Sequence, residues 1–200
     1  MQAARGVSLN SSDSTHPPTD DRGHRQHRSR TLVLFAAIAV LGYVVDLVSK
    51  LLAVAHLTGR EPQPVIGDVL TLYLARNPGA AFSTGTSYTL VLTCLALVAA
   101  VVVMWVARRL GSTGWAIGLG FLLAGILGNL TDRIFRSPGV FRGHVVDFLR
   151  LPHWPIFNVA DVCINIAAAV IIVQALRGMP VSGVRPVAQR SDDPDGPPAA

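Results

Sequence analysis

Residues 32–57, LVLFAAIAVLGYVVDLVSKLLAVAHL, decide the fold of this chain because they form one long apolar run. A helix needs about 20 consecutive, mostly apolar residues to cross a bilayer. Three further runs approach this length, over residues 88–107, 114–130 and 156–176, of which the third is the shortest. The sequence therefore predicts an all-α membrane protein built on a bundle of four transmembrane helices.

The composition supports a membrane protein. Of the 200 residues, 50% are hydrophobic and 14% are charged, whereas soluble domains are about 25% charged. The mean hydropathy is +0.45 and the isoelectric point is near 10.0. The net charge of +5 comes from arginines beside apolar runs rather than along one solvated face, which indicates membrane topology rather than nucleic-acid binding.

The arginines also predict the orientation of the chain. Cytoplasmic loops are enriched in Lys and Arg, and arginines precede the first run, occupy the link between the second and third, and follow the fourth (Arg22, Arg25, Arg28, Arg30, Arg108, Arg109 and Arg177). Both termini are therefore expected in the cytoplasm, and loops 58–87 and 131–155 outside. The second of these loops carries four arginines of its own, which require another explanation.

The ends of the chain have a different composition from the core. Residues 1–30 are too polar to bury a core, and residues 178–200 are rich in Pro and Gly, so both are predicted to be disordered cytoplasmic tails around a membrane core at 31–177. The first apolar run is too long for a signal peptide and is expected to be retained. Cys94 and Cys163 lie in apolar runs without metal-ligand spacing, and HExxH does not occur, so no metal or cofactor is expected.

Two local patterns refine the predicted bundle. In VLTLYLARNPGAAFS, residues 69–83, the leucines alternate with other residues before the turn signal NPG, which predicts a short strand or hairpin on the membrane surface, with Asn77 as a turn residue by default. In the third run, Gly120, Ala124 and Gly128 recur every four residues. Such a strip of small side chains allows a neighbouring helix to approach closely.

Ionisable side chains in membrane segments are candidates for function, because each costs roughly 2.5–3.5 kcal/mol at the centre of a helix. Asp147 and Asp161 flank a segment in which Pro152 and Pro155 disfavour a continuous helix, so a chain reversal can bring the two carboxylates face to face. Two carboxylates in a partly dry site share one proton. An aspartic protease uses such a pair, with one member activating water and the other polarising the peptide carbonyl.

Other roles for these carboxylates remain open at this stage. Asp147 could cap the fourth helix or pair with a loop arginine, while Asp161 packs against a polar group. A small proton-coupled transporter could use the same acids, and a non-enzymatic scaffold would not need them; transporters usually show internal repeats and broken helices at mid-membrane, whereas these acids lie near one surface. Asn158, three residues before Asp161, is expected to share its helix face and orient it.

Further polar pairs occur in the first and third runs. Asp46 and Lys50 are spaced i, i+4, which permits an ion pair inside the bundle that is either structural or supports a site. Asn129 and Arg133 have the same spacing, with Asp132 beside them. Helix-end capping and an Asp–Arg bridge are the structural alternative for this group.

Five motifs in order carry a resemblance to a known family. They are DLVSK (46–50), RNPGAAFS (76–83), GNLTDR (128–133), GHVVDF (143–148) and FNVAD (157–161). Together they closely resemble the bacterial lipoprotein signal peptidases, also called signal peptidase II, over about residues 31–177. Each motif alone is short, but the ordered set is specific.

The resemblance implies an aspartic endopeptidase of the bacterial inner membrane. It would cleave the signal peptide from prolipoproteins immediately before a diacylglyceryl-modified cysteine, without a cofactor or metal, using Asp147 and Asp161 as the catalytic dyad. The other matched positions would position substrate or support the site: Asp46, Lys50, Asn77, Asn129, Asp132, Arg133 and Asn158.

The resemblance also implies an architecture and a set of partners. A small extracytoplasmic β-sheet cradle and a short surface helix are expected around residues 69–75 and 78–87, beside a site that opens sideways to lipid at the outer face. The outer-loop arginines would meet membrane phospholipid head groups. Inhibition by globomycin, no nucleic-acid partner and a monomeric state are also expected.

Overall fold

The computed structural model describes residues 21–79 and 87–183, which form four helices and one three-stranded sheet. The elements in chain order are α1 Asp21–Leu57, β1 Gln63–Ile66, β2 Leu70–Asn77, α2 Ser87–Ala107, α3 Thr113–Phe135, β3 Val145–Arg150 and α4 Val159–Leu176. Each helix contains a segment long and apolar enough to cross a membrane. The predicted four-helix membrane bundle with a small sheet is confirmed. Most of the segment predicted as a surface helix lies outside the described residues.

Both predicted tail boundaries differ from the structure. Helix α1 begins at Asp21, so the prediction of disorder up to residue 30 is wrong for its last ten positions (21–30). These polar residues form an extension of the helix beyond its apolar span. Residues 178–183 are also ordered, because Gly111 and Ser112 donate backbone hydrogen bonds of 3.0 and 3.1 Å to the carbonyl of Val181. The remainder of both predicted tails lies outside the described residues.

Helix α3 is the centre of the bundle and packs against the other three helices. The predicted strip of small residues faces α1: a Cβ atom on Gly120 would lie 3.0 Å from the carbonyl oxygen of Phe35, and one on Gly128 would overlap the carboxylate of Asp46. Ala124, between them, is fully buried. The prediction of close helix packing is confirmed, and it brings a buried carboxylate on α1 against α3.

The outward faces of the helices are apolar. Val33, Leu95 and Val101 are 68%, 63% and 69% exposed in the protein alone. A soluble protein rarely exposes apolar patches of this extent, whereas a bilayer covers them. Polar side chains lie instead in the bundle interior and at the two ends of the bundle.

The sheet has the order β1-β2-β3, with both pairings antiparallel. Strand β2 confirms the strand predicted at residues 69–75. In its register with β3, Ala75 lies opposite Asp147 and Asn77 opposite Val145. After β3 the chain reverses, and Phe157 pairs with Leu149 through hydrogen bonds of 2.9 and 3.0 Å. This reversal, predicted from the prolines, places the start of α4 beside Asp147.

We expect Gly125→Ala to destabilise the protein by about 1–3 kcal/mol, the usual cost of overpacking a core. The added Cβ would lie 2.5 Å from the carbonyl oxygen of Ala160 and 2.6 Å from Ile164 Cγ1, so the backbones of α3 and α4 would have to separate. The free energy of unfolding in mixed micelles measures the effect. Gly139→Ala is the control, because its Cβ would meet nothing within 4 Å; equal stabilities of the two variants would contradict this packing.

Candidate active site

Asp147 lies on β3, with its side chain enclosed between the sheet and the bundle. It is 3% exposed. Its Oδ2 accepts a hydrogen bond of 2.9 Å from Asn77 Nδ2, and its Oδ1 accepts one of 2.6 Å from Asn158 Nδ2. Burial raises the pKa of Asp147 to about 6, and the nearby charge of Asp161 acts in the same direction, while the amide hydrogen bonds oppose the rise. Asp147 therefore holds its proton to a higher pH than an ordinary aspartate does.

Asp161 lies in the first turn of α4, in a different electrostatic environment. Asn158 is the N-cap of this helix, and the two residues form a capping box in which Asp161 Oδ2 accepts a 3.1 Å hydrogen bond from the Asn158 backbone N–H. Asp161 Oδ1 accepts a 2.9 Å hydrogen bond from Asn129 Nδ2. A helix N-terminus and two N–H donors, which stabilise negative charge, thus surround the Asp161 carboxylate.

Two sequence-based expectations about this helix are wrong. The apolar run predicts a helix from residue 156, with Asn158 and Asp161 on one helix face; the helix instead begins at Val159, because Asn158 caps it in an extended conformation. The alternative in which Asp147 caps the helix is wrong for the same reason. Asn158 still orients Asp161, but it does so through the capping box rather than across a helix face.

Three asparagine amides contact the two carboxylates, and each is held in one orientation by another hydrogen bond. Asn77 Oδ1 accepts from the Gly79 backbone N–H at 2.8 Å, and Asn158 Oδ1 accepts from the Asp161 backbone N–H at 3.0 Å. Asn129 Oδ1 accepts from Lys50 Nζ at 3.0 Å. The acceptor oxygen and the donor nitrogen of an amide belong to one planar group, so a hydrogen bond that fixes Oδ1 also fixes the direction of Nδ2. In each case Nδ2 donates to a carboxylate.

Lys50 lies at the centre of a buried charge cluster, which Asn129 connects to Asp161. Its Nζ is 2.8 Å from Asp46 Oδ2 and 3.0 Å from Asp132 Oδ2, and all three side chains are almost fully buried. Asp46 Oδ1 accepts from the Ala160 backbone N–H at 2.7 Å, and Asp132 Oδ2 accepts from that of Val146 at 3.1 Å. The predicted Asp46–Lys50 pair is confirmed, and the cluster joins α1, α3, α4 and β3.

The arginine partner of Asp132 differs from the predicted one. Asp132 forms an ion pair with Arg136, one turn further along α3, rather than with its neighbour Arg133. Residues four apart share a helix face and adjacent residues do not. Arg136 lies in the predicted outer loop 131–155, but its i, i+4 spacing from Asp132 is the sequence signal for this ion pair.

Arg133 instead faces the two aspartates. It interacts electrostatically with Asp161, Asp147 and Asp132, and its buried Nε has no hydrogen-bond partner within residues 21–79 and 87–183. The structure thus brings together all nine residues singled out in the sequence. Hydrogen bonds or ion pairs link eight of them to at least one other member of the set (Asp46, Lys50, Asn77, Asn129, Asp132, Asp147, Asn158 and Asp161). The ninth, Arg133, interacts electrostatically with three of the aspartates.

Comparison with known proteins identifies the family. Residues 38–177 match the family model described as signal peptidase (SPase) II. The chain is 46% identical over 161 residues to the lipoprotein signal peptidase of Mycobacterium avium, covering 80% of this chain and 88% of that protein. It is 47% identical over 166 residues to that of Streptomyces coelicolor, covering 83% and 79% of the two chains.

The fold comparison agrees with this assignment. One solved bacterial membrane enzyme superimposes with a TM-score of 0.64 at 25% identity, over 72% of this chain and 92% of that chain. A second gives a TM-score of 0.59 at 27% identity, over 76% and 93%. This multi-pass membrane protein therefore belongs to the signal peptidase II family and is a peptidase.

Proposed function

We propose that this peptidase cleaves the signal peptide from diacylglyceryl-modified prolipoproteins, immediately before the lipidated cysteine. The name of its relatives, lipoprotein signal peptidase, supports the substrate class. The observation that carries the proposed chemistry is that Asn158 donates a hydrogen bond to each carboxylate, to Asp147 from its side-chain amide and to Asp161 from its backbone N–H. One residue thus positions both members of an aspartate dyad.

The different surroundings of the two aspartates support different roles in the proposed reaction. Asp161, charged at the helix N-terminus and partly exposed, takes a proton from water as the water attacks the peptide carbonyl. Asp147, whose pKa is raised to about 6, donates from its protonated form toward the carbonyl oxygen. Collapse of the tetrahedral intermediate returns a proton from the pair to the leaving amine. The proton taken from water ends on the amine, and no covalent enzyme intermediate forms.

The location of the dyad suits a substrate that is itself a membrane helix. Asp147 lies on the sheet and Asp161 in the first turn of α4, at the end of the bundle where α1 and α3 also terminate. A signal peptide can approach laterally from the bilayer while water enters from the surface. This end is the outer face in the orientation inferred from the arginines, with both termini in the cytoplasm. We further propose that Arg133 and the exposed outer-loop arginines position substrate and lipid head groups, and that the protein acts as a monomer.

The direct test is to incubate the purified full chain in detergent with a diacylglyceryl-modified prolipoprotein and measure the mass of the products. We expect a mature product that begins with the modified cysteine, and we expect globomycin to suppress its formation. The matched control is the same precursor without the diacylglyceryl group. Equal cleavage of both precursors, or cleavage at another bond, would contradict the proposed specificity.

The pH dependence of cleavage tests the assignment of the proton to Asp147. The pKa of this carboxyl is about 6 rather than 3.8, so raising the pH through about 6 removes the proton and kcat/KM of the wild type should fall. Asn77 donates to the ionised form and holds the pKa down. In Asn77→Leu the protonated form is favoured, and the alkaline limb of kcat/KM should move to higher pH.

The control for this profile is Asn165→Leu, because Asn165 is exposed on α4 and donates only to the Asp161 backbone carbonyl. Its alkaline limb should coincide with that of the wild type. If the alkaline limb of kcat/KM for Asn77→Leu lies at the same pH as that of the wild type, or at a lower pH, Asp147 is not the titrating acid.

A further inference from the structure

A basic cavity lies at the end of the bundle opposite the dyad. It has a volume of about 620 Å³ and is formed by the start of α1, the link between α2 and α3, and the segment after α4. Its charged lining consists of Arg28, Arg108 and Arg109, and His27 lies beside them. Within the part of the chain that the structure describes, no acidic residue lines the cavity. Three guanidinium groups around one cavity favour a phosphate or another anion.

An apolar groove continues from this cavity along the lipid-facing side of the bundle. The groove runs between α2 and α3, has a volume of about 400 Å³, and is lined by Ala100, Val101, Met104, Trp105, Leu123 and Leu127. Arg108 lines both the groove and the basic cavity. From Arg108 to Ala100 is eight residues (108 − 100), or about 12 Å along a helix, which is comparable to the roughly 15 Å thickness of half a bilayer core.

We propose that the cavity and groove together bind one anionic phospholipid. The phosphate would occupy the arginine cavity, and an acyl chain would lie in the groove. Basic pockets between transmembrane helices at the cytoplasmic side bind anionic lipid head groups, and the distribution of arginines places this end of the bundle in the cytoplasmic leaflet.

The arginines are arranged for a ligand at the membrane interface. Arg28 donates a 2.6 Å hydrogen bond to the backbone carbonyl of Arg108, which ties the start of α1 to the link between α2 and α3. The guanidinium of Arg109 lies 4.9 Å from the centre of the Trp105 ring, a cation–π contact at the depth where tryptophan meets lipid head groups. A soluble phosphate would occupy the cavity and leave the groove empty. Because Arg108 lines both the cavity and the groove, a ligand with a phosphate and an acyl chain fits better.

Lipid retention measured by native mass spectrometry tests the proposal. The full chain in detergent would be titrated with phosphatidylglycerol or with phosphatidylcholine. We expect selective retention of phosphatidylglycerol, an affinity about fivefold lower in Arg108→Gln, and one about 25-fold lower in Arg28→Gln/Arg108→Gln, since each cation near a membrane surface contributes about 1 kcal/mol. Arg30→Gln is the matched control, because Arg30 is exposed on α1 at the same end of the bundle but does not line the cavity.

Two further measurements distinguish a bound lipid from free phosphate: retention in a groove variant, and retention of phosphatidylglycerol after inorganic phosphate is added. Ala100→Trp fills the groove without changing the cavity and should also reduce retention of phosphatidylglycerol. Equal retention of phosphatidylcholine, unchanged retention in Arg108→Gln or in Ala100→Trp, or displacement of the lipid by inorganic phosphate would each overturn the proposal. The measurement requires no cleavage, so its outcome is independent of the proposed peptidase mechanism.

Discussion

Asp147→Asn and Asp161→Asn are each expected to lower kcat for prolipoprotein cleavage by about 10²–10⁴, the usual contribution of general acid–base catalysis. Asparagine keeps the shape and the capacity to hydrogen-bond, but it can neither hold nor accept the catalytic proton. Because the two aspartates act as one unit, the double variant should be no slower than the worse single variant. Single-turnover cleavage of a diacylglyceryl-modified prolipoprotein, followed by mass, measures these rates.

The matched control is Asp68→Asn, since Asp68 is exposed in the turn between β1 and β2. Its rate should equal that of the wild type. Normal cleavage by either dyad variant would contradict the proposed mechanism and would leave these carboxylates with the structural or transport roles that the sequence also permits.

Lys50→Met is expected to destabilise the protein by about 3–5 kcal/mol, because removing one member of a buried charge cluster leaves its partners uncompensated. Asp46 and Asp132 both lie within 3.0 Å of the lysine ammonium and cannot reach water. The variant should also cleave more slowly, since Lys50 fixes the amide of Asn129 that donates to Asp161. Unfolding by SDS in mixed micelles measures the stability.

The double variant Asp46→Asn/Lys50→Met separates charge from packing. It removes one positive and one negative group, and Asp132 keeps its ion pair with Arg136. The free energy of unfolding of the double variant should therefore be higher than that of Lys50→Met and lower than that of the wild type. If the single and double variants unfold with the same free energy, Lys50 does not compensate these carboxylates.

The features predicted correctly from the sequence are those that depend on local pattern. The four spans follow from hydrophobic length, and the packing of Gly120 and Gly128 against α1 follows from four-residue spacing. The Asp46–Lys50 pair follows from i, i+4 spacing in a helix. The reversal between Asp147 and Asp161 follows from two prolines, which exclude a continuous helix there.

The remaining features depend on contacts between distant segments, which local pattern does not encode. The hydrogen bond from Asn77 to Asp147 is set by the register of β2 with β3, across 70 positions of the chain. The N-cap role of Asn158 was missed because the apolar run begins at residue 156, whereas Phe157 pairs with Leu149 of the sheet and precedes the helix. Arg136 was missed because the third run becomes polar before its helix ends at Phe135.

The most direct test of the proposed shared proton is an infrared titration of the carboxylic acid C=O stretch, with the Asp147→Asn spectrum subtracted to isolate Asp147. In the wild type, the band of protonated Asp147 should persist until the pH passes about 6. In Asp161→Asn it should disappear at lower pH, because the charge of Asp161 raises the pKa of Asp147. A band that titrates at the pH of an ordinary aspartate, or at the same pH with and without Asp161, would contradict a proton held between the two side chains.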